Sequence, residues 1–474
     1  MESKNTFLKR LAGFSLGPII GAFISFIIVP VQTWLIDPTQ LGKASMYTMA
    51  YGLSSLFIYL GIDQSYVREY NAEEDKKNLL WNSFIIPFIF SLIVMIIYLI
   101  FYKQISNLLF GSEEKLIINI LALSLPFSVI YRFNILNIRM KEKAKLYSLI
   151  EILNKLILLC VIVINLVFFN RNFKGVIQSQ FLSIVIISII TTFININDWK
   201  YKLKFNKKLL KKIILFGLPL IPASIMSWIL NSMDKIALRA WSDFESIGLY
   251  SAAFKIVGII IIVQQAFATF WSPTVYRWYE NNVAKEKYEI VSNKLNSIMI
   301  LLFGFIILFK DFIIKILSPE YSEASVIIPF LMFYPIMYTL SETTQMGISF
   351  SRKTYYNIIV TGVSGGINIL GNYLLVPKYG ALGASISTGI SYIIFFWLRT
   401  IISRFLWVKL NIKRHIISTI MMIFFAFLSI MYNNFIINFF SFILIVIYTF
   451  KDIKSAFYYI KSIINFKIQK SSDK

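Results

Sequence analysis

Long apolar stretches alternate with short charged loops along almost the whole chain. Because a helix needs about 20 apolar residues to cross a hydrocarbon core of about 30 Å, each stretch is a candidate membrane span. The stretches are too long for barrel strands, and backbone groups in lipid need partners within their own segment. The pattern therefore predicts an all-α polytopic membrane protein with about 14 transmembrane helices. The predicted spans cover residues 11–36, 44–62, 79–102, 116–137, 146–168, 174–196, 211–233, 247–271, 292–317, 325–347, 356–376, 380–401, 415–432 and 434–450.

Positively charged residues fall mainly in one set of loops. Most of the 47 Lys and Arg residues lie on the side of the N-terminus, and the positive-inside rule then places both termini in the cytoplasm. The net charge of +23 is explained by this topology rather than by nucleic-acid binding. The last two spans are joined only by Tyr432-Asn433-Asn434, so a single re-entrant hairpin is the alternative there.

Composition narrows the class of protein further. A hydrophobic content of 57% and a mean hydropathy of +0.69 do not fit a soluble domain. Spans and tight loops leave no room for an extramembrane catalytic module, which disfavours an enzyme. Cys160 and His415 are the single residues of their types, so neither builds a disulfide or a metal site alone. No Gly-rich loop precedes Lys-Ser or Lys-Thr, and no cofactor is predicted.

A basic segment divides the chain into repeats. Residues 199–212 carry seven lysines, which favours a topology anchor with affinity for anionic lipid, and separate the first twelve spans into six and six. An even number of spans in each half is typical of a parallel transporter repeat. The predicted parts are an N-terminal lobe at 1–199, a basic linker at 200–212, a C-terminal lobe at 213–410, two extra spans at 411–450 and a basic amphipathic cytoplasmic tail at 451–474.

Three stretches carry a resemblance to a known family. They are Asn231-Ser232-Met233-Asp234-Lys235 followed by Ile247-Gly248-Leu249-Tyr250-Ser251-Ala252-Ala253, the turn Asn368-Ile369-Leu370-Gly371-Asn372-Tyr373-Leu374-Leu375-Val376-Pro377-Lys378-Tyr379-Gly380-Ala381-Leu382-Gly383-Ala384, and Leu60-Gly61-Ile62-Asp63 with Arg68-Glu69. Together with the span count, they resemble the polysaccharide-transport family of lipid-linked oligosaccharide, or O-antigen-type, flippases. That family belongs to the multidrug, oligosaccharidyl-lipid and polysaccharide exporter superfamily.

The resemblance implies two six-helix lobes in a V-shaped arrangement and alternating access. It implies a polyprenyl-pyrophosphate-linked glycan as substrate, flipped across the bacterial inner membrane for a surface polysaccharide such as O-antigen or capsule. Membrane lipids, the polymerase and other polysaccharide-assembly proteins are the partners it implies. The alternatives are a cation-coupled small-molecule exporter of the same superfamily and a membrane enzyme of the same pathway. The enzyme needs a large external loop, and the longest one predicted is only residues 234–246.

Cations within spans are the first candidates for a pyrophosphate site, because buried charge is costly in a membrane unless it faces a cavity. Lys255 in span eight has no acidic residue three or four positions away. Lys155 has Glu151 at i−4, which is able to neutralise it locally. Arg132 and Arg68 lie near cytoplasmic ends of spans, where each either receives the headgroup or anchors its helix.

Other polar residues have structural and functional interpretations. Asp234 and Lys235 resemble the family's Asp-Lys pair, and with Arg239 they are candidates for a structural or gating salt link. Glu342, the only carboxylate in span ten, is a candidate for a coupling proton or sodium ion. Hydrogen bonding between helices and contact with sugar hydroxyls explain the remaining candidates equally well. These are Gln264 and Gln265 in span eight and Asn368 and Asn372 on one face of span eleven.

Overall fold

The computed structural model describes residues 4–200 and 204–472, and these residues are helical with no β-strand among them. Contacts divide the chain into two compact units, unit 1 at Met1–Ser251 and unit 2 at Ala252–Lys474. The all-α fold is thus confirmed. Unit 1 includes the seventh predicted span with the first six; the predicted repeat boundary at 200–212 stays a prediction.

Unit 1 contains eleven helices and the start of a twelfth within its described residues. They are α1 (Lys4–Leu35), α2 (Pro38–Tyr59), α3 (Ile62–Glu69), α4 (Lys76–Ile100), α5 (Tyr102–Phe110), α6 (Lys115–Met140), α7 (Ala144–Phe168), α8 (Phe173–Ile194), α9 (Ile196–Trp199), α10 (Lys207–Gly217) and α11 (Ile221–Trp241). A short 3₁₀ turn at Leu218–Leu220 joins α10 to α11, and Pro219 and Pro222 explain this break because proline removes a backbone donor.

The helix α12 (Phe244–Glu280) begins in unit 1 and continues into unit 2. The other helices of unit 2 are α13 (Lys285–Ile314), α14 (Ala324–Leu331), α15 (Phe333–Thr344), α16 (Met346–Phe350), α17 (Tyr355–Leu406), α18 (Lys413–Tyr432) and α19 (Phe435–Ser472). In its backbone, α19 continues from the last predicted span into the basic tail. The final residues 473–474 of that tail lie outside the described residues.

Among the described residues, twelve helices are long and apolar enough to cross a membrane. Two features account for the difference from the predicted number of about 14. The predicted spans 356–376 and 380–401 lie in the two helical segments of α17, which are divided by a kink at Gly380 (φ 50°, ψ −127°) and are counted together as one of the twelve. The second predicted span corresponds to α2, which is not one of the twelve because it has no 18-residue stretch as apolar as theirs.

Each unit has its own packed interior. In unit 1, buried side chains of α2, α3, α4, α6 and α10 form one cluster that includes Ile58, Tyr66, Leu79, Phe133 and Ile213. In unit 2, Trp271 and Val275 of α12 pack with Tyr288, Met346 and Leu410. The first cluster fixes α3 and α10, which both line a cavity in this unit.

Candidate functional site

A cavity of about 860 Å³ lies within unit 1 between α2 and α3 on one side and α10 and α11 on the other. Its α2 wall contributes the hydroxyl groups of Ser55 and Tyr59 together with Gly52 and Leu56. Its α11 wall carries the small side chains that the cavity requires. The lining residues are Gly52, Ser55, Leu56, Tyr59, Gly61, Asp63, Gln64, Val67, Arg68, Phe216, Leu220, Ala223, Ser224 and Ser227.

A sharp break after α2 brings charged residues to the cavity. Leu60 (φ 50°) and Gly61 (φ 69°) both have left-handed backbone angles, so α2 ends and α3 begins in a new direction. Such angles favour glycine, because a Cβ makes them strained. Asp63, Gln64 and Arg68 of α3 then line the same cavity as the hydroxyl groups of α2.

Asp63 is buried and already has a cationic partner. Arg132 of α6 donates two hydrogen bonds to Asp63 Oδ2, at 2.6 Å from Nη2 and 3.2 Å from Nε. Gln64 Nε2 donates to the same oxygen at 3.3 Å. The carboxylate therefore neutralises Arg132, and this predicted cation does not present its charge freely.

Arg68 differs because its guanidinium remains available. The side chain is 61% exposed, and Nε is 3.7 Å from Glu69 Oε1, beyond hydrogen-bond distance. Glu69 has a closer partner, since Lys212 Nζ lies 2.5 Å from its other oxygen. The guanidinium stacks over the Phe216 ring at 4.3 Å from the centroid. Its N–H edges make no hydrogen bond within the described part of the chain, and planar N–H donors of this kind suit phosphate oxygens.

Two pairs of glycines bring backbones together on either side of the cavity along α2. A Cβ built on Gly42 would lie 1.9 Å from Phe244 O, and one on Gly248 would lie 1.8 Å from Pro38 O. At the other end of α2, a Cβ on Gly61 would lie 2.5 Å from Gly217 O. Larger residues would force these segments apart, so both ends of the α2 wall are closed by direct backbone contact.

The other predicted residues of unit 1 lie outside this cavity lining. Lys155 of α7 is half-buried and faces α1, where its Cγ would lie 3.4 Å from a Cβ on Gly21. Asp234 is buried and accepts a 2.5 Å hydrogen bond from Tyr250 Oη, while Lys235 is half-buried on α11. Arg239 donates to the carbonyl oxygens of the last turn of α5, at 3.3 Å to Leu109 and 3.2 Å to Asn107. Arg239 thus stabilises a helix C-terminus.

In unit 2, Glu342 is part of a buried ion pair. Arg399 Nη1 lies 3.3 Å from Glu342 Oε1, and Gln345 Nε2 donates to the same oxygen at 2.9 Å. Arg399 also donates to Ser341 Oγ at 2.8 Å and lies over the Phe395 ring at 4.8 Å. A carboxylate paired in this way does not need an added proton or sodium ion to balance its charge; its coupling role stays a prediction.

The remaining candidates of unit 2 lie on α12 and α17. Lys255 is exposed on α12, as is Gln265, whereas Gln264 is half-buried and its Oε1 has no hydrogen-bond partner among the described residues. Asn372 Nδ2 donates to Asn368 Oδ1 at 3.1 Å, and Asn368 Nδ2 donates to Thr388 Oγ1 at 3.3 Å, across the break at Gly380. Of these two bonds, the one from Asn368 to Thr388 joins the two parts of α17; the predicted sugar contacts of all four amides stay predictions.

Sequence reasoning missed two residues that decide these environments. Arg399 lies next to the predicted end of span twelve and was not paired with Glu342, 57 positions earlier. The available signal was the isolated carboxylate itself, because a buried charge requires a partner. Phe216 was missed as the surface on which Arg68 stacks, and its apolar surroundings in the sequence give no sign of that role.

Comparisons with known proteins agree with this architecture. The profile of a family described as "Polysaccharide biosynthesis protein" matches residues 7–278. A relative from Haloferax volcanii, named as the probable low-salt glycan biosynthesis flippase Agl15, is 23% identical over 177 residues. That match covers 36% of this chain and 37% of the relative. An uncharacterized membrane protein of Methanocaldococcus jannaschii is 23% identical over 424 residues, which is 83% of each chain.

Solved structures show the same fold. The lipid II flippase MurJ in an inward closed conformation aligns with a TM-score of 0.69 at 17% identity, covering 96% of this chain and 100% of that one. An inward-facing multidrug resistance MATE family transporter of the MOP superfamily aligns with a TM-score of 0.65 at 14% identity, covering 83% and 94%. Because the family profile spans more than half of the chain, the protein belongs to the polysaccharide biosynthesis protein family, and the predicted membership of the polysaccharide-transport flippases is confirmed.

Proposed function

We propose that this protein flips a polyprenyl-pyrophosphate-linked oligosaccharide across the bacterial cytoplasmic membrane, by alternating access and with both termini in the cytoplasm. The product feeds the assembly of a cell-surface polysaccharide by a polymerase and its partners. The observation that carries the proposal is Arg68, a guanidinium with unoccupied donors in the lining of a cavity that also presents serine hydroxyl groups. Family membership and the flippase relative support the same class of substrate.

The substrate consists of a pyrophosphate, a glycan and a polyprenyl tail, and the cavity offers groups that suit the first two. Arg68 is suited to the pyrophosphate, because a charge-assisted, two-pronged hydrogen bond is the strongest a side chain makes to phosphate. The hydroxyl groups of Ser55, Ser224 and Ser227 are suited to the first sugar. The polyprenyl tail has no need of a protein pocket, because it stays in lipid.

Alternating access in this proposal acts on the glycine contacts. Gly42 and Gly248 close one end of the α2 wall, and Gly61 and Gly217 close the other. The Gly42–Gly248 contact has no intervening side chain and is the one that can separate, whereas the Gly61–Gly217 contact lies beside the buried cluster that joins α10 to α3. In this proposal the Gly42–Gly248 contact opens and closes during the cycle, while the Gly61–Gly217 contact stays closed and holds Arg68 in place.

The test is flipping of a fluorescent polyprenyl-pyrophosphate oligosaccharide in proteoliposomes. Arg68→Ala is expected to slow flipping about 10- to 100-fold, the equivalent of losing hydrogen bonds to a charged group. Arg68→Lys is expected to fall in between, because it keeps the charge but loses the planar donor pair. Arg139→Ala removes an exposed arginine at the end of α6, outside the cavity lining, and serves as the control.

Two results would contradict the proposal in different ways. If Arg68→Ala flips the substrate at the wild-type rate, Arg68 is not part of the binding site, although the protein is still a flippase. If the wild type moves none of the polyprenyl-linked sugars offered, the function itself is wrong.

A second candidate function is a cation-coupled exporter of small molecules, favoured by the fold shared with a multidrug resistance transporter, although Glu342 is already paired with Arg399. Expulsion of organic cations that is lost in Glu342→Gln, measured per folded molecule, would select this exporter over the flippase.

A further inference from the structure

The helix α10 has two chemically different sides. Leu209, Ile213 and Gly217 are buried and recur every four residues, so they lie on one face of the helix. Leu209 and Ile213 belong to the same buried cluster as Ile62 and Tyr66 of α3. Lysines occupy the exposed positions on the other side, namely Lys207, Lys208, Lys211 and Lys212.

The exposed side combines positive charge with large apolar groups. Phe205, just before α10, is 68% exposed, and Leu215 near its end is 62% exposed. Exposed aromatic and aliphatic side chains among lysines are typical of helices that lie in the headgroup region of a membrane. Lys207, Lys208 and Lys211 make no ion pair with any residue that the structure describes. Their charge therefore has no counterpart in this part of the protein.

Lys212 has a different role, because it holds α10 on α3. Its Nζ lies 2.5 Å from Glu69 Oε2 and 3.0 Å from Glu73 Oε1. A second attachment comes from Ser65 of α3, whose Oγ donates to Ile213 O at 2.8 Å. The free lysines and the attachment to α3 thus belong to one short rigid element.

The same element forms part of the cavity wall. The Arg68 guanidinium stacks on the ring of Phe216 in α10. A Cβ on Gly217 would lie 2.6 Å from Leu60 O. Any force that holds α10 in place therefore also holds Arg68 and the Gly61–Gly217 contact. The basic surface and the candidate site are mechanically connected over about one turn of helix.

We propose that Lys207, Lys208 and Lys211 bind anionic phospholipid headgroups of the cytoplasmic leaflet, and that this binding holds α10 against α3. Three lysines near an anionic surface strengthen such binding roughly 100-fold. The effect on transport rests on the proposed function, whereas lipid binding by α10 does not. Flipping is then faster in membranes whose cytoplasmic leaflet is negatively charged.

The test compares hydrogen–deuterium exchange of residues 204–217 in two kinds of nanodisc, one of phosphatidylcholine and one also containing phosphatidylglycerol. The anionic lipid is expected to slow exchange in α10 about 10-fold, because it stabilises the docked helix against local opening. High salt is expected to reduce this protection, since it screens exposed charges. The variant Lys207→Gln/Lys208→Gln/Lys211→Gln is expected to lose it.

The matched control is Lys285→Gln/Lys287→Gln/Lys353→Gln, which removes three exposed lysines of unit 2 outside α10. It is expected to keep the protection of α10. Equal exchange of the wild type in both nanodiscs would overturn the proposal, as would protection that persists in the α10 variant. Protection without flipping of any sugar offered would support the lipid surface and contradict only the proposed function.

Flipping measured in the same two lipid mixtures gives the second result. The wild type is expected to respond to phosphatidylglycerol, and the α10 variant is expected to flip at one rate in both. If exchange depends on anionic lipid and flipping by the wild type does not, the surface is an anchor and the link to the cavity is wrong.

Discussion

Each unit contains a buried carboxylate paired with an arginine, but the surroundings of the two pairs differ. In unit 2, Glu342 and Arg399 have side chains only 11% and 10% exposed. Arg399 donates to Glu342 and Ser341, and the ring of Phe395 covers its face. The positive charge of Arg399 is therefore balanced by Glu342 within the protein.

In unit 1, Asp63 is just as buried, but the set of charges around it is open to a cavity. Arg132, its partner at 2.6 Å, has a side chain that is 37% exposed. Arg68 is a further cation, and the nearby Glu69 is closer to Lys212. A cation therefore remains available where a ligand can reach it. A cation in or near a span is therefore available to a ligand only when the neighbouring carboxylates are already paired with other cations.

The largest expected effect comes from breaking the pair in unit 2. Arg399→Met leaves Glu342 without the one cation found within 4 Å of it in the described residues, and an unpaired buried charge costs about 3–5 kcal/mol. The double variant Arg399→Met/Glu342→Leu is expected to recover most of this loss, because it removes both charges. Thermal or denaturant unfolding in nanodiscs measures the difference. A single variant within 1 kcal/mol of wild type, on the scale of about 3–5 kcal/mol for a buried pair, would mean that water or another group reaches Glu342.

A smaller loss is expected from the pair in unit 1. Asp63→Asn removes the partner of Arg132, whose partly exposed guanidinium can be hydrated instead. Partial solvation reduces the cost to about 1–2 kcal/mol, between the values for exposed pairs and for buried charged hydrogen bonds. Glu113→Gln, in the exposed Lys103–Glu113 pair at 3.9 Å, is the control and should change stability by less than about 0.5 kcal/mol. If Asp63→Asn costs as much as Arg399→Met, the two pairs do not differ in the way described.

The sequence was sufficient to predict the helices, because hydrophobic length is a local property. The main disagreement is itself informative: α2 carries serine, tyrosine and glycine where other spans are aliphatic, and three of those residues, Gly52, Ser55 and Tyr59, line the cavity. A count of apolar residues ranks such a helix as a poor candidate for a membrane span. In the folded protein this polarity marks the face that turns away from lipid.

The site was predictable only in part. The sequence places Arg68 and Asp63 near the end of a span, and the structure brings both to the cavity. It does not reveal that Arg132 neutralises Asp63, 69 positions away, or that Lys212 neutralises Glu69. Which of several cations stays free is decided by tertiary contacts, and spacing along one helix carries no information about them.

The smallest expected effect on stability belongs to the residue proposed to matter most for transport. Arg68 has a 61% exposed side chain, a long contact to Glu69, and a stacking contact with Phe216. At an exposed position such stacking contributes about 0.5–1 kcal/mol, so Arg68→Ala should unfold within about 1 kcal/mol of wild type. The same variant should lose most of its flipping, and unfolding measured beside transport in one preparation separates the two effects. If Arg68→Ala instead loses stability as Arg399→Met does, Arg68 is a structural cation, and its loss of transport carries no information about a pyrophosphate site.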